Sequence, residues 1–166
     1  KMRDILRQVQ PALIYLNKCL SVPILQAILD SGIPCVRMVH DHEVYCMRGY
    51  KYFPWSRRIC HHKAGLVCIT RCLASVQRDR SKGKYGVRWV SYTHQQALIH
   101  RDQKLAGFFA ISEYMRQELI LQGYDEQKTY LFPPIPNPEL DFLSPPFGAE
   151  NVILFVGQIV RGKGLD

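Results

Sequence analysis

The stretch "GFFAISEYMRQELILQGYDEQKTYLF" (residues 107–132) contains the pattern that decides the fold. Its first six residues, 107–112, are an apolar run that ends on a serine, which predicts a short buried strand. Residues 128–132, "KTYLF", predict a second strand. The segment between them predicts a helix, and a strand–helix–strand unit is the crossover that joins parallel strands. The stretch therefore predicts an α/β fold with a parallel sheet.

The helix of this unit is predicted over residues 113–123. Ser112 can act as its N-cap, Glu113 is acidic in its first turn, and Gly123 suits its C-terminal end. Ser112 and Glu113 also follow directly after a strand, and ligands of open α/β sheets bind at the carboxyl ends of strands. Both are therefore candidate cleft contacts for a sugar or an anion. The alternative is that they cap the helix and bind nothing.

The first forty residues show the same alternation. The predicted elements are a helix over 2–11, a strand over 12–16, a helix over 22–32 and a strand over 34–40. Pro23 lies in the first turn of the second helix and Gly32 just past its end, as is typical of helix termini. A parallel α/β domain usually opens with a strand, so we expect the native domain to include sequence before residue 1.

The remaining segments suggest how the domains are organised. Residues 41–72 are irregular and rich in cysteine and aromatic residues, and residues 85–104 have a mixed helical pattern. Residues 133–148 contain six of the ten prolines, a density that excludes regular structure and is typical of an interdomain linker. An apolar run beyond it predicts a further strand. The predicted parts are a first domain over 1–132, a linker over 133–149 and the start of a second domain over 150–166.

The composition limits the class of protein and its partners. No apolar run approaches the roughly 20 residues needed to span a bilayer, and the first residues lack the features of a signal peptide, so a cytoplasmic location is expected. The formal net charge of +8 suits an anionic partner. Basic residues cluster at 48–58 and 78–88, either as a solvated loop surface or as a binding surface for an anionic membrane or a phosphorylated ligand.

Four of the six cysteines lie in the irregular segment, at Cys46, Cys60, Cys68 and Cys72. Four thiols in a cytoplasmic, loop-rich segment suit a tetrahedral structural zinc site, which is the only cofactor that we expect. The alternatives are four unconnected buried thiols, or a disulfide that forms during purification. Cys19 and Cys35 lie on predicted core elements, where cysteine acts as a small hydrophobic residue.

The chain ends on "VILFVGQIVRGKGLD" (152–166), which is close to a nucleotide phosphate-binding loop. A glycine-rich turn between a strand and a helix presents backbone N–H groups to phosphate. However, such a loop needs a hydroxyl after its lysine to bind Mg²⁺, and Gly164 occupies that position. A degenerate loop of this kind and an ordinary strand–turn–helix corner both remain open on composition alone.

The same stretch resembles the opening strand and loop of the C-terminal domain in family 4 glycosyltransferases of the GT-B fold. Gly157, Lys163 and Gly164 match the family's pattern, whereas Gln158 stands where the family has an arginine. The resemblance implies that Gly157, Gln158, Arg161 and Lys163 bind the diphosphate of a nucleotide-sugar donor. Gln158 can donate a hydrogen bond but carries no charge, so Arg161 is the candidate that compensates for it.

Other segments agree with this family in order and spacing. "ALIYLN", "GIPCVRMVHDHEVYC" and "AGFFAISEYMRQELILQGYDEQKTYLFPPIPNPEL" resemble its N-terminal domain and the linker that follows it. The resemblance implies a partial, acceptor-side N-terminal domain with a Rossmann-like parallel sheet and flanking helices. It also implies that the chain, by itself, lacks most of the donor domain and is inactive.

For the whole protein, the resemblance implies transfer of a hexose from a nucleotide-diphosphate donor, with retention of configuration and no cofactor for catalysis. The acceptor would be a sugar or a lipid-linked carrier in polysaccharide or glycolipid synthesis, at the inner face of the cytoplasmic membrane. His40 and Asp41 end a predicted strand and are implied to lie in the active site. The alternative is a His–Asp pair that caps the loop without a ligand.

A second hypothesis, from a different class, is a zinc-stabilised, basic nucleic-acid-binding module. It rests on the cysteine series, the charge and the aromatic residues within the basic cluster 48–58. No RNA-binding signature accompanies these features, and the strand–helix alternation and the proline-rich segment favour the transferase. The favoured interpretation therefore has no nucleic-acid partner.

Overall fold

The computed structural model describes residues 1–134 except 57, 80, 82 and 84. Within these residues the helices are α1 (Met2–Val9), α2 (Val22–Asp30), α3 (Val67–Thr70), α4 (Tyr92–Asp102) and α5 (Glu113–Leu121). The strands are β1 (Ile14–Leu16), β2 (Cys35–Val39), β3 (Val76–Arg78), β4 (Val87–Trp89), β5 (Gly107–Ala110) and β6 (Thr129–Leu131). A short 3₁₀ helix, Glu126–Lys128, precedes β6.

Four of these strands form one parallel sheet in the order β1–β2–β5–β6. Each strand lies beside the next parallel strand along the chain, and the connections contain α2, α4 and α5. Parallel neighbours need such crossovers because a strand must return to the same end of the sheet before it can pair again. The prediction of an α/β fold with a parallel sheet and flanking helices is therefore confirmed.

Local sequence signals determine where the helices end. The Ser112 hydroxyl accepts a hydrogen bond from the Met115 backbone N–H at 3.2 Å, so its role as the N-cap of α5 is confirmed. Gly123 adopts a φ of +91° just past the same helix, a conformation that strains other residues. Pro23 lies in the first turn of α2, as predicted.

The prediction of a mixed helical pattern over 85–104 is wrong in its first part. Residues 87–89 form β4, which pairs antiparallel with β3, and the helix begins only at Tyr92. The side chain of Ser91 accepts a hydrogen bond from the His94 backbone N–H and fixes this start. Val87 and Trp89, in the segment before this serine, are residue types that favour strands. This segment therefore pairs with β3 and does not extend the helix.

One face of the parallel sheet packs on the helices and carries the main core. Cys35, Val39 and Phe108 project from this face and belong to one buried cluster with Ile28 of α2 and Leu119 of α5. Burying such side chains stabilises the fold by about 1.5–3 kcal/mol each. Packing of this core against one face of the sheet fixes the positions of the strands, and so it also fixes the positions of their carboxyl ends.

The opposite face of the sheet is apolar but open within the described part of the chain. Tyr15, Val36, Met38, Phe109 and Tyr130 share this face through the strand register. Tyr15 and Tyr130 are each more than half exposed, while the other three are partly buried. Parallel sheets are normally covered on both faces, so this surface is unusual for the fold.

A buried ion pair lies at the centre of the helix-covered face. The Arg37 guanidinium on β2 is 2.6 Å from the Asp102 carboxylate at the end of α4, and both side chains are almost fully buried. Arg37 also donates to the carbonyl oxygen of Cys19, and the Tyr124 hydroxyl donates to Asp102. The network joins the middle of the sheet to α4 and to the loops after β1 and α5.

A second buried ion pair attaches the irregular segment 41–72 to α5. The Lys51 ammonium is 3.0 Å from the Glu118 carboxylate and donates to the carbonyl oxygen of His62. Gln122 accepts from the Ala64 backbone N–H at 2.7 Å. The segment is therefore fixed against the domain although it has little regular structure.

The predicted linker over 133–149 begins at the last described residues, and its remainder lies outside the described part of the chain, as does the predicted start of a second domain over 150–166. Among the described residues, no helix has the length and apolarity that a membrane crossing requires.

Asp102→Ala is expected to lower the free energy of unfolding by about 3–5 kcal/mol, because it leaves the Arg37 charge buried without its partner. The double variant Arg37→Met with Asp102→Leu should recover most of this loss. Urea unfolding measures both effects. As a control, Asp30→Ala removes the exposed pair with Arg3 and should cost less than about 1 kcal/mol. Equal losses for Asp102→Ala and Asp30→Ala would contradict the central role of the buried pair.

Candidate active site

The carboxyl ends of β1, β2 and β5 meet at one edge of the sheet because these strands are parallel. Lys18 follows β1, while Asp41 and Glu43 follow β2. The Lys18 ammonium is 2.6 Å from the Glu43 carboxylate and 3.5 Å from that of Asp41. The hydrogen bond that Lys18 donates to the Glu43 carboxylate is the main reason that the pKa of Lys18 is raised. Two neighbouring loops are thus joined by a small charged network.

His40 and Asp41, the predicted catalytic pair, both lie at this edge. The His40 imidazole is 41% exposed, and its Nε2 is 3.8 Å from an Asp41 carboxylate oxygen. The other carboxylate oxygen of Asp41 accepts from the Glu43 backbone N–H at 3.0 Å, which shapes the turn after β2. Asp41 is therefore fixed by the loop, whereas the ring of His40 is open to a ligand.

His42 links the ends of β2 and β5. Its Nδ1 is 2.7 Å from the Tyr45 hydroxyl, and its ring packs edge-on against Tyr114, the second residue of α5. Burial lowers the pKa of His42, and the negative charge of Glu118 only partly opposes this. The imidazole is therefore neutral at pH 7 and positions the loop after β2 against α5.

Ser112 and Glu113 lie at the carboxyl end of β5, as predicted, but both interact with their own helix. Ser112 caps α5, and the Glu113 carboxylate accepts from Arg116 and Gln117, each at 3.3 Å. Their side chains are exposed, so they border the edge, and the interactions that they make stabilise the first turn of α5.

A cavity of about 710 Å³ lies beside the carboxyl edge. The lining comes from the loops after β1 and β2, from β4 and from the start of α4, and it includes Leu20, Glu43, Arg88, Trp89, His94 and Gln95. Gln95 donates to the Val44 carbonyl oxygen at 2.9 Å and so holds α4 against the loop after β2. The volume is in the range of a ligand site and its lining is mixed polar and apolar.

A second cavity, of about 580 Å³, lies at the other edge of the sheet, between α1 and the end of α2. Its lining includes Arg3, Arg7 and Asp30, and Arg3 already pairs with Asp30 at 2.7 Å. Ligands of parallel sheets bind at the carboxyl ends of strands, so we assign the candidate site to the first cavity.

The predicted metal ligands Cys46, Cys60, Cys68 and Cys72 lie in the irregular segment and all are free thiols, and Cys46 also lines the first cavity. Among the described residues, no group of three or more His, Cys, Asp or Glu side chains is drawn close enough to hold a metal ion. The predicted donor-site residues Gly157, Gln158, Arg161 and Lys163 lie outside the described residues.

Sequence reasoning did not identify Lys18 as part of this site, and it did not predict that His42 meets Tyr114. Lys18 could have been found because it follows the first predicted strand, whose end must share an edge with His40. The contact of His42 with Tyr114 was not predictable, since it depends on how closely the loop after β2 approaches α5.

In comparisons with protein-family models, curated proteins and solved structures, nothing matches this chain.

The stability of the domain is expected to depend on pH through His42. Because burial lowers the pKa of His42 in the folded state, the unfolded chain binds an extra proton below about pH 6.5. The free energy of unfolding should therefore fall as the pH falls from 6.5 through the folded pKa, by less than about 1.4 kcal/mol per pH unit.

Urea unfolding between pH 5 and pH 8 measures this dependence. His42→Gln should weaken it, while His61→Gln, which changes an exposed histidine of the same segment, should leave it unchanged. An unaltered pH profile in His42→Gln would show that another group titrates.

Proposed function

We propose that this chain forms the acceptor-side domain of a GT-B glycosyltransferase that resembles family 4, and the first residues of its donor domain. The whole enzyme transfers a hexose from a nucleotide-diphosphate donor to a sugar or a lipid-linked acceptor, with retention of configuration. The proposal rests on the order of the sequence segments that resemble this family. A parallel α/β domain flanked by helices is compatible with it.

The observation that best supports this function is the polar group at the carboxyl edge. His40, Asp41 and Lys18 extend from the ends of two adjacent parallel strands. Glu43, which pairs with Lys18, lines a cavity large enough for a sugar. In parallel α/β folds this edge is where ligands bind, whatever reaction follows. The side chains are of the types that bind sugar hydroxyls and phosphate oxygens.

In this proposal the chain acts mainly by positioning. The exposed His40 imidazole donates or accepts a hydrogen bond with a substrate hydroxyl, and Lys18 places a positive charge 3.5 Å from the neighbouring carboxylate of Asp41. Gly157, Gln158, Arg161 and Lys163 bind the donor diphosphate, as the resemblance implies. Holding both substrates in one geometry, with cationic groups near the leaving phosphate, raises the rate of sugar transfer without a cofactor.

His40→Ala in the whole enzyme is expected to lower kcat/KM for sugar transfer by about 10²-fold or more, because it removes a group that contacts the reacting substrates. The measurement is the initial rate with a panel of nucleotide-diphosphate sugars. Arg7→Ala, at the opposite edge of the sheet, is the matched control and should retain full activity.

Undiminished transfer by His40→Ala would remove this residue from the active site. The 166-residue chain by itself should show no transfer, and activity from it alone would contradict the domain assignment.

We further propose that the whole enzyme works at an anionic membrane surface, where lipid-linked acceptors reside. The antiparallel β3–β4 pair supports this, since Trp89 is 78% exposed and Tyr85 is 85% exposed. Arg88 lies beside Trp89 on the same strand and is also exposed. Exposed aromatic residues next to basic ones suit the interface of an anionic bilayer.

Trp89→Ala is expected to weaken binding to vesicles that contain anionic phospholipid, since it removes an exposed ring that would enter the interface. Co-sedimentation with anionic and with neutral vesicles measures the effect. Tyr130→Ala, which removes an exposed ring from the parallel sheet, is the control.

Equal binding to both kinds of vesicle would count against the membrane proposal. Salt-dependent binding of single-stranded nucleic acid in place of vesicles would favour the nucleic-acid-binding module instead.

A further inference from the structure

Two arginines from distant parts of the sequence line the same cavity. Arg48 begins the basic cluster 48–58, and Arg88 ends the basic cluster 78–88. Both are among the residues that line the cavity of about 710 Å³ beside the carboxyl edge. The fold thus brings one end of each basic cluster to a single concave surface.

The guanidinium of Arg48 is held by uncharged groups. Its Nε donates to the Cys72 carbonyl oxygen at 2.9 Å, and its Nη2 donates to the Leu73 carbonyl oxygen at 3.2 Å. A backbone carbonyl accepts a hydrogen bond but has no charge that would neutralise the guanidinium. Within the described part of the chain, no carboxylate pairs with Arg48. Its positive charge is therefore available to a ligand in the cavity.

Arg88 is oriented in a similar way. Its Nη2 donates to the side-chain oxygen of Gln77 at 3.0 Å. The amide nitrogen of Gln77 donates in turn to the carbonyl oxygens of Met47 and Ala74, which fixes the direction of the Gln77 side chain. Among the described residues, Arg88 has no carboxylate partner either. Its guanidinium is thus positioned without being neutralised.

The charge of the cavity suits an anion. Glu43 is the one carboxylate among the described lining residues, and it already pairs with Lys18 at 2.6 Å. Arginine presents its N–H groups in the planar arrangement that binds two phosphate or carboxylate oxygens at once. Two unneutralised arginines match a phosphate monoester, with its charge of about −1.5 to −2 at pH 7, better than a single carboxylate.

The rest of the lining suits a group attached to the phosphate. Met47 and Leu98 are buried and give the cavity an apolar part, while Trp89 is largely exposed and lies where the cavity opens to solvent. His94 also lines the cavity and has ring nitrogens that can bond a hydroxyl. A mainly apolar and aromatic lining with a few polar groups that fix orientation is typical of a ligand site of this volume.

We propose that this cavity binds a phosphate monoester, with Arg48 and Arg88 binding the phosphate and Trp89 packing against the group that the phosphate carries. The identification of this ligand as the acceptor rests on the proposed function. The phosphate belongs either to a free sugar phosphate or to a lipid, since both present the same oxygens to the arginines. Binding involves no covalent step.

Isothermal titration calorimetry of the 166-residue chain tests this inference with two probes. Glucose 1-phosphate represents a free sugar phosphate, and dihexanoyl phosphatidic acid, used below its micelle concentration, represents a lipid phosphate. At least one probe is expected to bind saturably at one equivalent, and the tighter one identifies the source of the phosphate. Glucose, which has no phosphate, should not bind.

Arg88→Gln is expected to weaken this binding by about tenfold or more, because it removes charge-assisted hydrogen bonds to the phosphate. Arg88 is exposed, so the variant should fold. Arg7→Gln is the matched control, since it removes the same charge from an exposed arginine that lines the second cavity. It should bind the probes as the unmodified chain does.

Tryptophan fluorescence shows where the probe binds. The chain has two tryptophans, so Trp55→Phe leaves Trp89 as the single reporter. Trp55 is 77% exposed, and its replacement should leave the fold unchanged. Saturating probe should change the emission of Trp89 with the same Kd as calorimetry gives.

Saturable binding that Arg88→Gln weakens and Arg7→Gln does not weaken supports the site. Absence of binding by both probes overturns it, and so does equal weakening by the two variants, which would indicate general attraction to a basic surface. Binding that leaves the emission of Trp89 unchanged would overturn the assignment to this cavity. Because the readout is binding to the chain, it is separate from sugar transfer: without phosphate binding, the whole enzyme could still transfer to an uncharged acceptor.

Discussion

The ion pair between Arg37 and Asp102 is the constraint on which the rest of the described structure depends. A charged guanidinium in the middle of a parallel strand is unfavourable unless an opposite charge and a hydrogen-bond acceptor lie beside it. Asp102 and the Cys19 carbonyl oxygen meet this requirement, and Tyr124 in turn bonds to Asp102. The pair therefore fixes the end of α4, and the loop after β1, relative to the centre of the sheet.

The geometry of the candidate site depends on the Arg37–Asp102 ion pair. Lys18 lies next to Cys19, whose carbonyl oxygen accepts a hydrogen bond from the buried Arg37. This bond holds the loop that contains Lys18 in place. On the other side, Gln95 of α4 holds the loop after β2. Polar side chains at the carboxyl edge can thus be exposed and still be well positioned, because buried contacts fix their backbones.

The sheet has two different faces in the described part of the chain. One is covered by helices and contains the core, while the other presents Tyr15, Phe109 and Tyr130 with their partly buried neighbours. Parallel sheets are stable when both of their faces are covered. Further contacts on the open face would therefore increase the stability of this fold. Val36, Met38 and Phe109, which lie on this face in β2 and β5, are apolar, as that requirement predicts.

The sequence by itself determined the elements whose signals are local. Apolar runs, helix caps such as Ser112 and the glycine at 123 predicted the helices and strands of the parallel sheet within a few residues. The same order of elements placed His40, Asp41 and Ser112 at strand ends, because parallel strands share their carboxyl edge.

Only the tertiary structure decided which polar groups meet. Arg37 would be expected on a solvated surface, yet it is buried because Asp102, distant in sequence, lies opposite it. The β3–β4 pair and the contacts of Lys18 and His42 likewise depend on segments that approach one another in space. Local patterns record the preferences of neighbouring residues, whereas these contacts are selected by the packing of the whole domain.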